Sequence, residues 1–179
     1  MSDECVTVVE MSIGEAEAAD RADAVIRWLL DSGVIVPNPR RGGSWRDSAY
    51  IPGPRAGSAA PGFGESAPRA THVGVDVLVE RELYRDTVPH DPPACPDCGY
   101  ELSEPTLDRL IRPWLDGRRE PEVPCPGCGT VRRLGDWPNG YLVGELAVRF
   151  NNWPPLSEEF VAHLGRLLGP RWRAVHEHY

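Results

Sequence analysis

Apolar residues recur along this chain with two periods, and the switches between them outline its elements. Val6, Val8 and Val9 give a short β-branched run that predicts a strand over residues 5–11. Ala18, Ala22, Val25, Ile26 and Leu29 then return at helical spacing, with Ser12 and Glu15 in the order of a capping box and Gly33 where the helix would stop. Val34-Ile35-Val36 predicts a second strand. Residues 72–80 alternate, with Val73, Val75, Val77 and Val79 facing inward and His72, Asp76 and Glu80 outward, which predicts a half-buried strand. Leu107, Leu110, Ile111 and Trp114 form one face of a further helix between Pro105 and Gly117. Residues 141–150 predict a strand with Leu142, Leu146, Val148 and Phe150 on one face. Ser157 caps a closing helix striped by Phe160, Val161, Leu164, Leu167 and Leu168, and residues 172–179 fit a last strand.

This order predicts an α+β fold: a mostly antiparallel sheet with two helices on one face, of ferredoxin-like β-α-β-β-α-β topology. Residues 1–92 and 137–179 together would form it, and residues 93–136 would be an inserted module carrying its own short helix. Between the second and third predicted strands, residues 37–70 hold six Pro and six Gly. Such a stretch buries too little apolar area to offset its ordering entropy, so it reads as a long loop.

The inserted stretch carries the chemistry. Cys95-Pro96-Asp97-Cys98-Gly99 and Cys125-Pro126-Gly127-Cys128-Gly129 are two matching knuckles. Thiolates three residues apart grip one ion only if the backbone curls between them, and a glycine after the second cysteine tolerates the positive φ that the curl requires. Two copies with the same flanking residues point to one shared metal, Cys95, Cys98, Cys125 and Cys128 being the ligands and structural zinc the expected ion. Residues 93–136 resemble the zinc-ribbon or rubredoxin-like knuckle class, although the connection between knuckles exceeds the usual ribbon spacing of about 15–20 residues. With the later strand, Asn151-Asn152-Trp153-Pro154-Pro155-Leu156-Ser157 and the closing helix, the chain also resembles a group of bacterial zinc-ribbon proteins that have no assigned activity. The resemblance implies a metal and leaves the function open.

Composition narrows the classes. The 179 residues carry a net charge of −8, against the basic surface expected of a general nucleic-acid binder. All nineteen cationic side chains are arginine, which excludes P-loop, Schiff-base and Ser-Lys chemistry. The acidic start Met1-Ser2-Asp3-Glu4 is unlike a signal peptide, and the single remaining cysteine, Cys5, reads as a small buried hydrophobe; a cytoplasmic protein is expected. His176 and His178 share one side of the last strand without a third ligand in view, while His72, His90 and His163 stand alone. No nucleophile, base and orienter can be assembled from these residues.

Charge is distributed unevenly. Residues 1–32 hold eight Asp or Glu against two Arg, whereas residues 37–70 hold five Arg against two acids, interleaved with Trp45, Tyr50 and Phe63. Arg40, Arg41, Trp45 and Arg46 are the candidate partner-binding residues, since arginine and aromatic side chains supply anchoring area and charge-assisted hydrogen bonds. The alternative is that this loop folds back on the acidic helix. The expectation is therefore a non-enzymatic protein–protein interaction module, such as an adaptor or a toxin-neutralising partner. A nucleic-acid-associated ribbon and an enzyme with a site of scattered residues are the alternatives, and no membrane partner is expected.

Overall fold

The computed structural model describes residues 4–40, 47–64, 72–87 and 92–178. In chain order the strands are β1 (Glu4–Glu10), β2 (Ile35–Pro37), β3 (Tyr50–Pro52), β4 (Gly74–Leu78), β5 (Glu82–Arg85), β6 (Glu122–Pro124), β7 (Val131–Arg133), β8 (Tyr141–Gly144), β9 (Leu146–Asn151) and β10 (Trp172–His178). The helices are α1 (Glu15–Asp31), α2 (Glu104–Leu115) and α3 (Glu158–Leu168). Six strands form an antiparallel sheet in the order β10-β1-β9-β4-β3-β2. Its four strands β10-β1-β9-β4, with α1 after β1 and α3 after β9, give the expected β-α-β-β-α-β arrangement. The β2–β3 pair extends the sheet beyond β4.

Both of these helices cover one face. Ala18, Ala22, Val25 and Leu29 of α1 and Phe160, Leu164 and Leu168 of α3 close over Val8, Val75, Val148 and Phe150 in the main core. Ring contacts knit it together: Trp28 stacks on Phe160 at 5.6 Å, and Trp153 meets Phe150 edge-on at 5.1 Å. On the opposite face Val9, Ala147 and Val175 pack beneath Tyr84 of β5 and Leu142 of β8. The β5–β8 pair leads out to the segment that carries the cysteines.

Four expectations need correction. Ser12 does not cap α1; the cap residue is Gly14, and the Ser12 amide and hydroxyl both donate to the carboxylate of Glu10, at 2.7 and 2.5 Å. Glu10 is fully buried, and it also accepts from the amides of Ile13 and Arg171, so the serine serves an internal acceptor instead of the helix end. The single strand expected over 141–150 is two strands that turn a corner at Gly144 and Glu145, putting Leu142 in the far core and Leu146 in the main one. A side chain at Gly144 would meet the Glu10 carbonyl oxygen at 2.3 Å, which explains the glycine at the corner. Val79 lies past the end of β4 and is exposed, while Asp76 accepts hydrogen bonds from the Ala49 amide and the Asn151 side chain.

The fourth correction concerns the Pro/Gly-rich stretch. Tyr50–Pro52 is strand β3, and Ala56, Ala59 and Ala60 are buried in the main core around two short 3-10 turns. Small residues let that backbone lie against α1 and the sheet, so a stretch poor in large apolar residues is still packed. Phe63 meets Trp153 at 4.7 Å. Arg40 is exposed in the turn after β2, its amide donating to Asn38, whereas Arg41, Trp45 and Arg46 lie outside the described residues, as does His90.

One contact shows how close the packing is. A Cβ on Gly165 of α3 would come within 2.0 Å of the Trp172 ring, so Gly165→Ala is expected to lower stability by about 1–3 kcal/mol through overpacking. Gly57 has open space around it, and Gly57→Ala is the neutral control. Urea unfolding monitored by circular dichroism checks both, and equal midpoints for the two variants would contradict the packing described.

Candidate metal centre

The two knuckles fold alike. In the first, the Gly99 amide donates to the Cys95 carbonyl and the Cys95 amide to the Tyr100 carbonyl, both at 2.8 Å. In the second, Gly129 donates to Cys125 at 2.8 Å and Cys125 to Thr130 at 2.9 Å. Gly99 and Gly129 stand at φ 75° and 77°, the left-handed region expected for the residue that closes each curl. The repeated Pro and Gly are thus matched by repeated backbone geometry.

The curls bring all four sulfurs within 4.8 Å of one another. Cys95 Sγ lies 3.8 Å from Cys128 Sγ, and Cys98 Sγ lies 3.6 Å from Cys125 Sγ. A tetrahedral zinc with Zn–S bonds of about 2.3 Å would separate its sulfurs by about 3.8 Å, so the donor set fits that ion in both type and spacing. Cys95 and Cys125 are buried, and Cys98 and Cys128 are exposed. The Gly127 amide donates to Cys125 Sγ at 3.3 Å, an interaction that favours the thiolate.

Electrostatics within the set argue for a cation. Interactions with the side chain and backbone of Thr130 hold the Cys128 thiol down to about 6. At Cys98 the Tyr100 backbone amide favours the ionised form, yet desolvation and the neighbouring cysteines push the thiol up to about 12. Four thiolates at such spacing repel one another, and a divalent ion removes that repulsion.

Several residues hold the cluster in place. Val123 of β6, Leu134 and Trp137 bury against Leu107, Ile111 and Trp114 of α2, and Cys95, Cys125 and Val143 join the same core. Arg132 of β7 makes a two-pronged bond to Asp97 of the first knuckle, at 2.7 and 3.1 Å, which clamps the knuckles together and holds the Asp97 carboxyl below its ordinary range. Arg81 donates to the Trp114 carbonyl at the end of α2, to the Arg118 carbonyl, and to Glu145 between β8 and β9. Arg171, just before β10, pairs with Glu120 and Asp136, and Glu120 in turn accepts from the Gly135 amide. Sequence reasoning found the ligands and α2 but not Arg81, Arg171 or Glu120. Their partners are 15 to 64 residues away, and no local pattern marks them.

Other candidates separate from this site. Among the described residues no group of three or more potential ligands gathers besides the four cysteines. His176 and His178 lie exposed on β10, their amides donating to Asp86 and Thr87. Cys5 is buried, its sulfur 3.1 Å from Asn151 Oδ1. No described helix is long and apolar enough to cross a membrane.

Fold and site together define an α+β protein with a four-cysteine metal site. No known protein family, curated protein or solved structure matches the chain.

Purified without chelator, the protein is expected to contain one zinc per chain by elemental analysis, and Cys98→Ser to lose it. Structural zinc contributes roughly 10–16 kcal/mol of apparent binding free energy that is also folding free energy. The serine variant should therefore unfold at least residues 93–136, read as lost protection of those amides in hydrogen exchange. A metal-free wild-type protein or a fully protected Cys98→Ser variant would refute the assignment.

Proposed function

We propose that the chain is a non-catalytic zinc-binding protein that acts by binding another protein, as an adaptor or a neutralising partner, with zinc as a structural staple. The observation that carries this reading is the closed donor set. Four cysteine sulfurs would complete the shell of a tetrahedral ion and leave no position for water or substrate, unlike catalytic zinc, which keeps one open. Cys95, Cys98, Cys125 and Cys128 would hold the ion, and it would supply rigidity to β6, β7 and the two knuckles. The resemblance of residues 93–136 to the zinc-ribbon or rubredoxin-like knuckle class belongs to the same reading.

Arg40, Arg41, Trp45 and Arg46 are proposed as partner-binding residues, with Arg40 exposed at the start of that stretch. The nucleic-acid reading is less well supported, because Arg132 and Arg171 beside the knuckles already have acidic partners. Arg132 is neutralised by Asp97, and Arg171 by Glu120 and Asp136, on a chain of net charge −8. Affinity for phosphates requires a continuous set of free cations.

The test is affinity capture from host cells with the zinc-loaded protein, followed by mass spectrometry and titration of the captured protein. Replacing the four residues with Ala is expected to weaken that partner by more than about 2 kcal/mol, the hot-spot threshold, with melting unchanged. Melting lowered by several degrees with binding intact would show that the stretch is packed structure and that the interface lies elsewhere. In gel-shift titration, submicromolar nucleic-acid binding at about 150 mM salt that falls steeply as salt rises would replace this reading with the nucleic-acid one.

A further inference from the structure

Among the described residues, nothing covers the helix side of the sheet beside its edge strand β10. Between α3 and β10 runs a groove of 780 Å³ whose floor is apolar: Val6, Trp153, Leu156, Val161, Trp172 and Ala174. All of these except Trp153 are only partly buried, so the groove keeps apolar area in contact with solvent. Its rim is acidic. The Glu4 side chain is 76% exposed, with the His178 imidazole 3.9 Å away, and the Glu158 side chain makes no hydrogen bond or ion pair among the described residues.

The backbone of β10 adds a directional element. His176 bonds outward, its amide to the Asp86 side chain and its carbonyl to the Thr87 amide. Antiparallel strands alternate inward- and outward-bonding residues, so Ala174 and Trp172 also face outward, and no hydrogen bond within the described residues caps them there. An open strand edge beside an apolar trough is the arrangement that adds an extended peptide, with main-chain bonds for affinity and pockets for alternate side chains.

We propose that this groove binds an extended segment of a partner protein: two or three apolar residues flanked by Arg or Lys, paired along the Trp172–Ala174 edge. The apolar side chains fill the trough and the flanking cations meet Glu4 and Glu158. The proposal rests on the reading of the chain as a protein-binding module and specifies for it a surface built from residues other than Arg40, Arg41, Trp45 and Arg46.

The probes are fluorescein-labelled pentapeptides titrated by anisotropy into the zinc-loaded full chain: Arg-Leu-Val-Leu-Arg, Ser-Leu-Val-Leu-Ser and Glu-Leu-Val-Leu-Glu. The basic peptide is expected to bind most tightly. Val161→Arg, which places a long cation in the trough, is expected to weaken it by about tenfold or more. Glu158→Arg should weaken the basic peptide about fivefold and leave the serine peptide unchanged. Ala174→Arg serves in place of Val161→Arg should that variant melt early. Equal binding of the acidic peptide, binding unaffected by either trough variant, or a concentration-dependent dimer abolished by Val161→Arg would each overturn the proposal. So would an absence of saturable binding by all three peptides. That last result would leave the interaction-module reading to the capture experiment, which reads a different set of residues.

Discussion

Four sulfurs drawn within 4.8 Å impose a charge constraint that the surrounding segment is built to meet. Two curls with left-handed glycines aim the thiolates inward, and α2 with the β6–β7 hairpin gives the curls a small hydrophobic core of their own. That core has Trp114 and Trp137 at its centre, a modest apolar payload for a segment of this length. Small modules of this size commonly need a metal or disulfides to hold together, so the sulfur cluster and the tryptophans are complementary supports.

The arginines connect this segment to the sheet. Arg81 reaches from the β4–β5 turn to the C-terminal end of α2, where the helix dipole and open carbonyls favour a cation, and it pairs with Glu145 at the β8–β9 corner. Arg171 performs the corresponding task from the far end of α3, and its own amide is held by Glu10. The orientation of the knuckles relative to the sheet is thus specified by guanidinium forks with fixed geometry, for which a lysine would be a poor replacement.

Much of this architecture is legible in the sequence because its elements are strongly periodic. The α1, α2 and α3 stripes and the alternating strands reflect burial on one face, and the knuckles reflect metal geometry. What escapes is non-local. The period of two continues through Gly144 and Glu145, so the corner there is invisible until β8 is seen to pair with β5 and β9 with β1 and β4. Ser12 and Glu15 have the spacing of a capping box, but a buried carboxylate two residues earlier competes for the serine. Ala56, Ala59 and Ala60 escape because small residues look loop-like until tertiary packing needs close approach. The groove likewise arises where α3 leaves one end of two strands uncovered, a property of layer geometry that no single stretch encodes.

The sheet order has a consequence for how the chain is made. Of the described strands β1 is synthesised before the others, yet both of its ladder partners, β9 and β10, lie within residues 146–178. Its backbone donors and acceptors therefore wait for most of the chain to be translated, and long-range pairing of this kind forms slowly. The cysteines, all present by residue 128, can gather a metal while β1 is still unpaired. Metal supply would then act on the nascent chain before the sheet closes, and a shortage would prolong the interval in which a valine-rich strand with two open edges is exposed to aggregation.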